Sequence, residues 1–282
     1  MILIAIIIIF IILYFWEEPV ENFVTNYEIN GKPIIWSYWD NLDGNKTPPI
    51  IELCIQTLLN KCSKDFNIIL LNSDNINKYI DLSGINLNDL SIAHKVDIYR
   101  TMLLYKYGGL YLDADIVCLK SLTPIIDKLK EYDFVGFGCS EEIANKKACY
   151  GKPSNWCLAS RKGTKLFKTI INKQLDIINK NKSLLKSDYH AIGKKVIWDS
   201  IKGHKYFHYM DVDGSRDING EWITTTDLFS NKKIEYKNPN DMLFCVYYNS
   251  HKEVIDTNKL TKEEIMNSNW TITKFINQGL TK

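Results

Sequence analysis

A chain of 282 residues with 35 basic and 33 acidic side chains carries a net charge of +2, and neither sign is gathered into a block. That balance excludes nucleic acid or another polyanion as the main partner, while 45% hydrophobic and 24% charged residues match an ordinary globular protein. Seven cysteines without a C-x-x-C pair or a cysteine–histidine ligand spacing argue against structural zinc.

Residues Met1 to Trp16 form an unbroken apolar run without charge. As a helix the run spans roughly 24 Å, short of a full hydrocarbon core but sufficient for a thin membrane. It has no basic n-region and no small-residue cleavage site before Glu17, so it reads as an uncleaved transmembrane signal-anchor. Residues 17–30 are then a short stem, and residues 31–282 are long enough for one large domain or two small ones.

Beyond the stem, strands and helices alternate. The pattern predicts a strand at Ile34–Trp39, a helix at Pro49–Asn60 with proline in its first turn, and a strand at Phe66–Leu71. A short helix is expected near Asn75–Ile80. From about Ser91 to Tyr107, Ile92, Val96, Tyr99 and Leu103 recur at helical spacing, and Gly108-Gly109 should end that helix. The period then changes to two over Leu110–Val117, which predicts one strand with Tyr111, Asp113 and Asp115 on the same side. Further on come a helix at Pro124–Lys130, strands at Asp133–Phe137 and Trp156–Ala159, and a long helix at Thr164–Asn179. Tyr206–Gly220 reads as a loop, Met242–Tyr248 as a strand, and Thr261 to Glu264 as a capping box opening a short helix. Strands separated by helices predict an α/β fold, a mostly parallel sheet covered on both faces, with ligands beyond the carboxyl ends of the strands.

Two acids on one face of a buried strand are costly without a partner, and a divalent cation with oxygen ligands removes that cost. Asp97 and Arg100, three residues apart on the preceding helix, share a face that can look along the strand. The second D-x-D, Asp211-Val-Asp213, precedes Gly214 and reads as a turn, and an EF-hand starting there lacks both the required glycine and the closing glutamate.

The run Ala93-His-Lys-Val-Asp97-Ile-Tyr-Arg100, continued by Leu-Leu-Tyr-Lys-Tyr-Gly-Gly-Leu-Tyr-Leu-Asp113-Ala-Asp115, resembles the signature of D-x-D sugar-transferases. These are the capsular polysaccharide synthesis proteins and the related family of yeast-type Golgi mannosyltransferases and clostridial glucosylating toxins. Lys32-Pro-Ile-Ile-Trp36-Ser-Tyr-Trp39 resembles the opening strand of the capsular group, and the likeness covers about residues 31–140. It implies a GT-A, Rossmann-like nucleotide-sugar fold with a mixed sheet, and transfer of a sugar to a glycan or glycoconjugate acceptor with retention. It also implies manganese or magnesium held by Asp113 and Asp115, with Asp97 and Arg100 as further catalytic residues at the sugar and diphosphate. Trp36 would stack on the base, and Tyr111 and Asn155 would lie near the donor. A third metal ligand is expected from the C-terminal part, with His251, Asn249 and Asn267 to Trp270 as candidates.

Two other readings stand beside this one. A haloacid-dehalogenase-type phosphatase would use Asp113 as nucleophile and Asp115 as general acid, but about ninety residues of α/β pattern precede the motif and Asp97 and Arg100 have no role in it. A non-catalytic, membrane-anchored carbohydrate-binding protein does not need four intact polar groups. The anchor and the Golgi-enzyme likeness imply a type II membrane protein in a eukaryotic host, and the capsular relatives a cytoplasmic membrane face. Sequons at Asn45, Asn181 and Asn269 distinguish the two.

Overall fold

The computed structural model describes residues 28–29, 31–41, 46–138, 151–210, 212–247 and 259–281. The predicted anchor, the predicted stem apart from Glu28–Ile29, and Asn45, Asp211, Asn249 and His251 lie outside the described residues. Among the described residues no helix is long and apolar enough to cross a membrane.

The sheet grows around β2 (Lys32–Tyr38), whose alternating side chains feed two cores: Ile35 goes to one face, Ile34 and Trp36 to the other. β1 (Glu28–Ile29) pairs with it antiparallel, and β3 (Asn67–Leu71) runs parallel to it after the helix α1 (Pro49–Cys62). On its other side β2 pairs in parallel with β4 (Gly109–Leu112), reached through α2 (Ile92–Tyr107). The expected strand at Leu110–Val117 is in fact two. β4 stops at Leu112, the chain turns through Asp113-Ala114-Asp115, and β5 (Ile116–Cys118) belongs to a separate two-stranded sheet with a later strand. The alternation of apolar residues runs through the break because both strands are buried, so period alone does not reveal it.

After α3 (Thr123–Lys128) the main sheet continues with β6 (Phe134–Gly138) and β7 (Cys157–Ser160), and β7 lies antiparallel between β4 and β6. The sheet is therefore mixed and parallel-rich: β2, β3, β4, β6 and β8 run in one direction, β1 and β7 against them. α4 (Lys165–Lys180), the single turn α5 (Leu184–Ser187) and α6 (Lys194–Ser200) follow. The predicted loop from Tyr206 opens instead with β8 (Tyr206–Met210), an edge strand parallel to β6. α7 (Thr225–Leu228) leads to β9 (Phe244–Val246), the antiparallel partner of β5, and α8 (Lys262–Met266) and α9 (Thr271–Leu280) close the chain. Thr261 and Glu264 make the expected reciprocal cap of α8. Near Asn75–Ile80 only a 3₁₀ turn at Ile76–Lys78 forms.

One core joins Leu110, Leu112 and Val135 of the sheet to Leu58 and Cys62 of α1 and Ile125 of α3. On the opposite face Tyr111, Phe134 and Leu158 pack under Leu103 of α2, Ile170 of α4 and Ile197 of α6. A third core, with Leu53, Val117, Tyr247 and Ile276, ties α1 to β5, β9 and the C-terminal helices. The α2–β4 junction is sterically tight. Gly109 has φ of 91°, and a Cβ there would sit 2.5 Å from the Ile34 carbonyl oxygen. Gly109→Ala should therefore destabilise by about 2–4 kcal/mol, a combination of left-handed strain and a backbone clash, measured as a lower urea midpoint at constant m-value.

Candidate active site

The cleft sits where the parallel strands end, as the fold class requires. β2 delivers Tyr38 and then Trp39, Asp40 and Asn41 to one wall; the turn after β4 delivers Asp113, Ala114 and Asp115 to the floor; the start of α2 supplies Ile92, Ala93 and Val96. Its volume is about 740 Å³, enough for a ligand larger than a monosaccharide.

Helical spacing puts Asp97 and Arg100 together, as the sequence led one to expect. Ser91 caps α2 by accepting from the His94 amide at 3.3 Å, which sets the helix entry and hence where Asp97 points. The Arg100 guanidinium bridges two carboxylates, with Nη2 3.5 Å from Asp97 Oδ1 and 3.3 Å from Asp113 Oδ1. Arg100 Nη1 also donates to the Asn155 carbonyl, its Nε to the Val96 carbonyl at 3.3 Å, and its charge lies over the Tyr111 ring at 4.7 Å from the centroid. Asn155 closes the network by donating through Nδ2 to Asp97 Oδ1 at 2.7 Å. The end of β4 is pinned to this network because the Asp113 amide donates to the Trp156 carbonyl at 2.9 Å.

The chemistry follows from burial. Asp97 and Arg100 are each only 5% exposed, so the two charges persist by pairing. Burial pushes the Asp97 carboxyl above its ordinary value, against the pull of Arg100 and the Asn155 hydrogen bond. Asp113 moves the same way: burial is the largest cause, Arg100 opposes it and Asp97 adds to it. Asp113 and Asp115 are only half-buried and both line the cleft. A fixed guanidinium, backed by Asp97 and Asp113 and lining the cleft, can hold a diphosphate-bearing ligand. Two carboxylates leaving open positions for water and phosphate oxygens also suit magnesium or manganese, so the donor set fits a divalent cation. Among the described residues no group of three His, Cys, Asp or Glu side chains forms a metal cluster.

Trp36 needs correction. It is fully buried, donates from its indole nitrogen to the Gly108 carbonyl at 3.0 Å and packs against Tyr79 and Tyr107, so no ring face is open to a nucleotide base. Trp39, two residues on, is the tryptophan that lines the cleft. Tyr111 likewise has no exposed surface and acts from below, through the Arg100 charge. Asn155 is brought into the network.

Sequence reading passed over the segment between α5 and α6. Gln174 of α4, 1% exposed, donates to the backbone carbonyls of Asp97 at 3.0 Å and Ile192 at 2.7 Å and accepts from Thr101 Oγ1 at 2.7 Å. It had a signal, since it interrupts the apolar stripe four residues after Ile170 and four before Ile178. Gly193 follows, so close to the network that a Cβ would lie 2.6 Å from Asp97 Oδ2 and 2.8 Å from Asn155 Nδ2. Tyr189 reaches the cleft itself.

The model of the capsular polysaccharide synthesis protein family matches residues 17–210, more than half of the chain. Among curated proteins no sequence relative matches. Among solved structures, the PaToxG glycosyltransferase aligns over 60% of this chain and 68% of its own at 16% identity and a TM-score of 0.43. The glycosyltransferase GlyE of Streptococcus pneumoniae TIGR4 aligns over 64% and 46% at 18% identity and 0.40, so this chain spans less than half of that one. A galactosyltransferase, LgtC, in complex with donor and acceptor sugar analogues, aligns over 87% and 95% at 11% identity and 0.40.

Proposed function

Because the chain belongs to the capsular polysaccharide synthesis protein family, we propose that it is a glycosyltransferase that moves a sugar from a nucleotide-sugar donor to a glycan or glycoconjugate acceptor. The observation that carries this reading is the buried Asp97–Arg100–Asp113 network opening on the cleft beside Asp115. Residues 31–282 form the catalytic domain, of GT-A type.

Arg100 faces the diphosphate side of the donor. Its position is fixed before substrate arrives by Asp97, Asp113 and the Asn155 carbonyl, so little ordering is left for the binding step. Asp97, held by Asn155, orients the sugar end. Asp113 and Asp115 would hold manganese or magnesium, which neutralises charge on the departing diphosphate when bound. Family resemblance supports retention of anomeric configuration. With Asp97 committed to Arg100 and Asn155, departure and attack take place on the same face without a covalent glycosyl-enzyme. Product NMR decides this: an α-linked donor should give an α-linked product, and a β-linked product refutes it.

The test of the activity itself is release of nucleoside diphosphate from a panel of UDP- and GDP-sugars with manganese. A haloacid-dehalogenase phosphatase would release phosphate from p-nitrophenyl phosphate instead. Nothing at the site favours that chemistry, since Asp113, the would-be nucleophile, faces a guanidinium.

The apolar run at residues 1–16 supports membrane attachment through a stem of residues 17–30, which keeps the domain near a membrane-bound acceptor. A type II orientation in a eukaryotic host exposes the sequon at Asn181, which is at the surface, to the lumen. Expression in such a host should then give an endoglycosidase-sensitive mass increase at Asn181; an unmodified Asn181 with the domain cleaved by cytosolic protease places it on the cytoplasmic face.

A further inference from the structure

We propose that Tyr189 is the aromatic platform on which the pyranose ring of a bound sugar stacks, an inference that rests on the transferase reading above. Tyr189 lies on the cleft wall together with Val96, Arg100, Asp113 and Asp115, and is 57% exposed; among the described residues Trp222, at 40%, is the one other exposed aromatic. Its electrostatic neighbours are Asp97, Asp113, Arg100 and Asp115, the same groups that surround the proposed reacting end of the donor.

The ring is exposed but its backbone is fixed. His94, itself 5% exposed and in the first turn of α2, places Nε2 3.1 Å from the Tyr189 carbonyl oxygen, and the two rings pack at 5.8 Å. On the far side Asp188 Oδ1 accepts from the His190 amide at 3.1 Å and Asp188 pairs with Lys195 at 2.6 Å. Gln174 fixes the Ile192 carbonyl, and Gly193 lies against Asp97. These contacts hold a short irregular segment whose main solvent-facing group is one phenol ring. A rigid aromatic loses little conformational freedom on contact, and its apolar face stands in the same cleft as the charged Arg100, Asp113 and Asp115. The C–H face of a pyranose is the complementary surface: the sugar's hydroxyls point outward to the carboxylates and guanidinium, while its axial hydrogens need an apolar partner. Arg100, with a cation held on Asp113 and Asp115, would recognise a diphosphate; these charged groups provide no such face.

The pyranose can belong to the donor or to the acceptor, and steady-state kinetics separate the two. The full chain with manganese is assayed with UDP-glucose, UDP-galactose and GDP-mannose, first for donor hydrolysis in water alone and then for transfer to methyl glycosides. Tyr189→Ala should raise KM about tenfold, equivalent to ~1.4 kcal/mol, with kcat within about threefold and an unchanged melting temperature. If the rise appears in hydrolysis, the ring stacks on the donor sugar; if it appears only for the methyl glycoside, on the acceptor. Tyr189→Phe should keep wild-type KM, because it retains the ring. Equal losses in the Phe and Ala variants would assign the effect to the hydroxyl and overturn the proposal, as would KM values unchanged in Tyr189→Ala. A drop in kcat and melting temperature without a KM change would make Tyr189 a structural residue and also overturn it. Wild type that turns over none of the donors would remove the transferase reading, and this proposal with it; wild type that turns them over and an Ala variant equal to it removes this proposal alone.

Discussion

Asp115→Ala should lower nucleotide-sugar turnover about a thousandfold, in the range lost when a preorganised electrostatic group is removed from a reacting centre. The fold should survive. Asp115 lies in the turn between β4 and β5, half-buried and facing the cleft, so truncation leaves a hole open to solvent and not a cavity in a core. Such positions shift stability by about 0.5 kcal/mol or less, which is a melting-temperature change of about 2 °C. Excess EDTA on the wild type should produce a loss of similar size, and adding EDTA to the Asp115→Ala protein should change its residual rate little. Activity retained by the variant, or by the chelated wild type, would contradict the role given to Asp115.

Arg100→Met should damage both stability and activity. The substitution keeps much of the side-chain volume but leaves Asp97, 5% exposed, and Asp113 without the charge that both face. Removing one partner of a buried ion pair costs about 3–5 kcal/mol, so the melting temperature should fall by about 10 °C. Arg100→Lys should recover only part of it. A single ammonium cannot reach Asp97, Asp113 and the Asn155 carbonyl at once, as the planar guanidinium does. Adding Asp97→Asn to Arg100→Met should restore part of the stability lost in the single variant without restoring turnover, because the buried Asp97 charge is gone, Asp113 remains unpaired and the diphosphate contact stays lost. A double-mutant cycle read by urea unfolding measures that coupling. An Arg100→Met protein as stable as wild type would show that the bridge is absent in solution.

The contrast between these two residues explains what was legible in the sequence. Helix periodicity places Asp97 and Arg100 on one face, and the stop at Gly108-Gly109 is a local signal that the chain obeys. For Asp113 and Asp115 the alternation points to the cleft through the wrong local structure. A continuous strand predicts a shared face, whereas the acids meet at the cleft because the chain leaves one sheet and enters another between Leu112 and Ile116. That choice depends on which partner strand each half finds, β2 and β7 for one and β9 for the other, and long-range pairing has no local signature. Trp36 failed for a related reason: strand alternation tells that a residue lies on a buried face, not whether that face meets a ligand or a helix. β8 has no clear signal in the sequence, because Tyr206–Met210 is half-exposed and lacks the apolar alternation of the inner strands. Gln174 was visible as a polar break in an apolar stripe, yet its partners, Asp97 and Ile192, are known only once α4 is laid on α2.

The central claim is that this cleft holds the diphosphate of a nucleotide sugar between Arg100 and a cation on the Asp113–Asp115 turn. A crystal structure of the full domain soaked with manganese and the nucleoside diphosphate of the preferred donor tests it most directly. The account predicts anomalous density for manganese touching the Asp115 carboxylate, with the diphosphate against Arg100 and the base toward the Trp39–Asn41 wall. Manganese and nucleotide bound at another surface, with this cleft filled only by water, would contradict it.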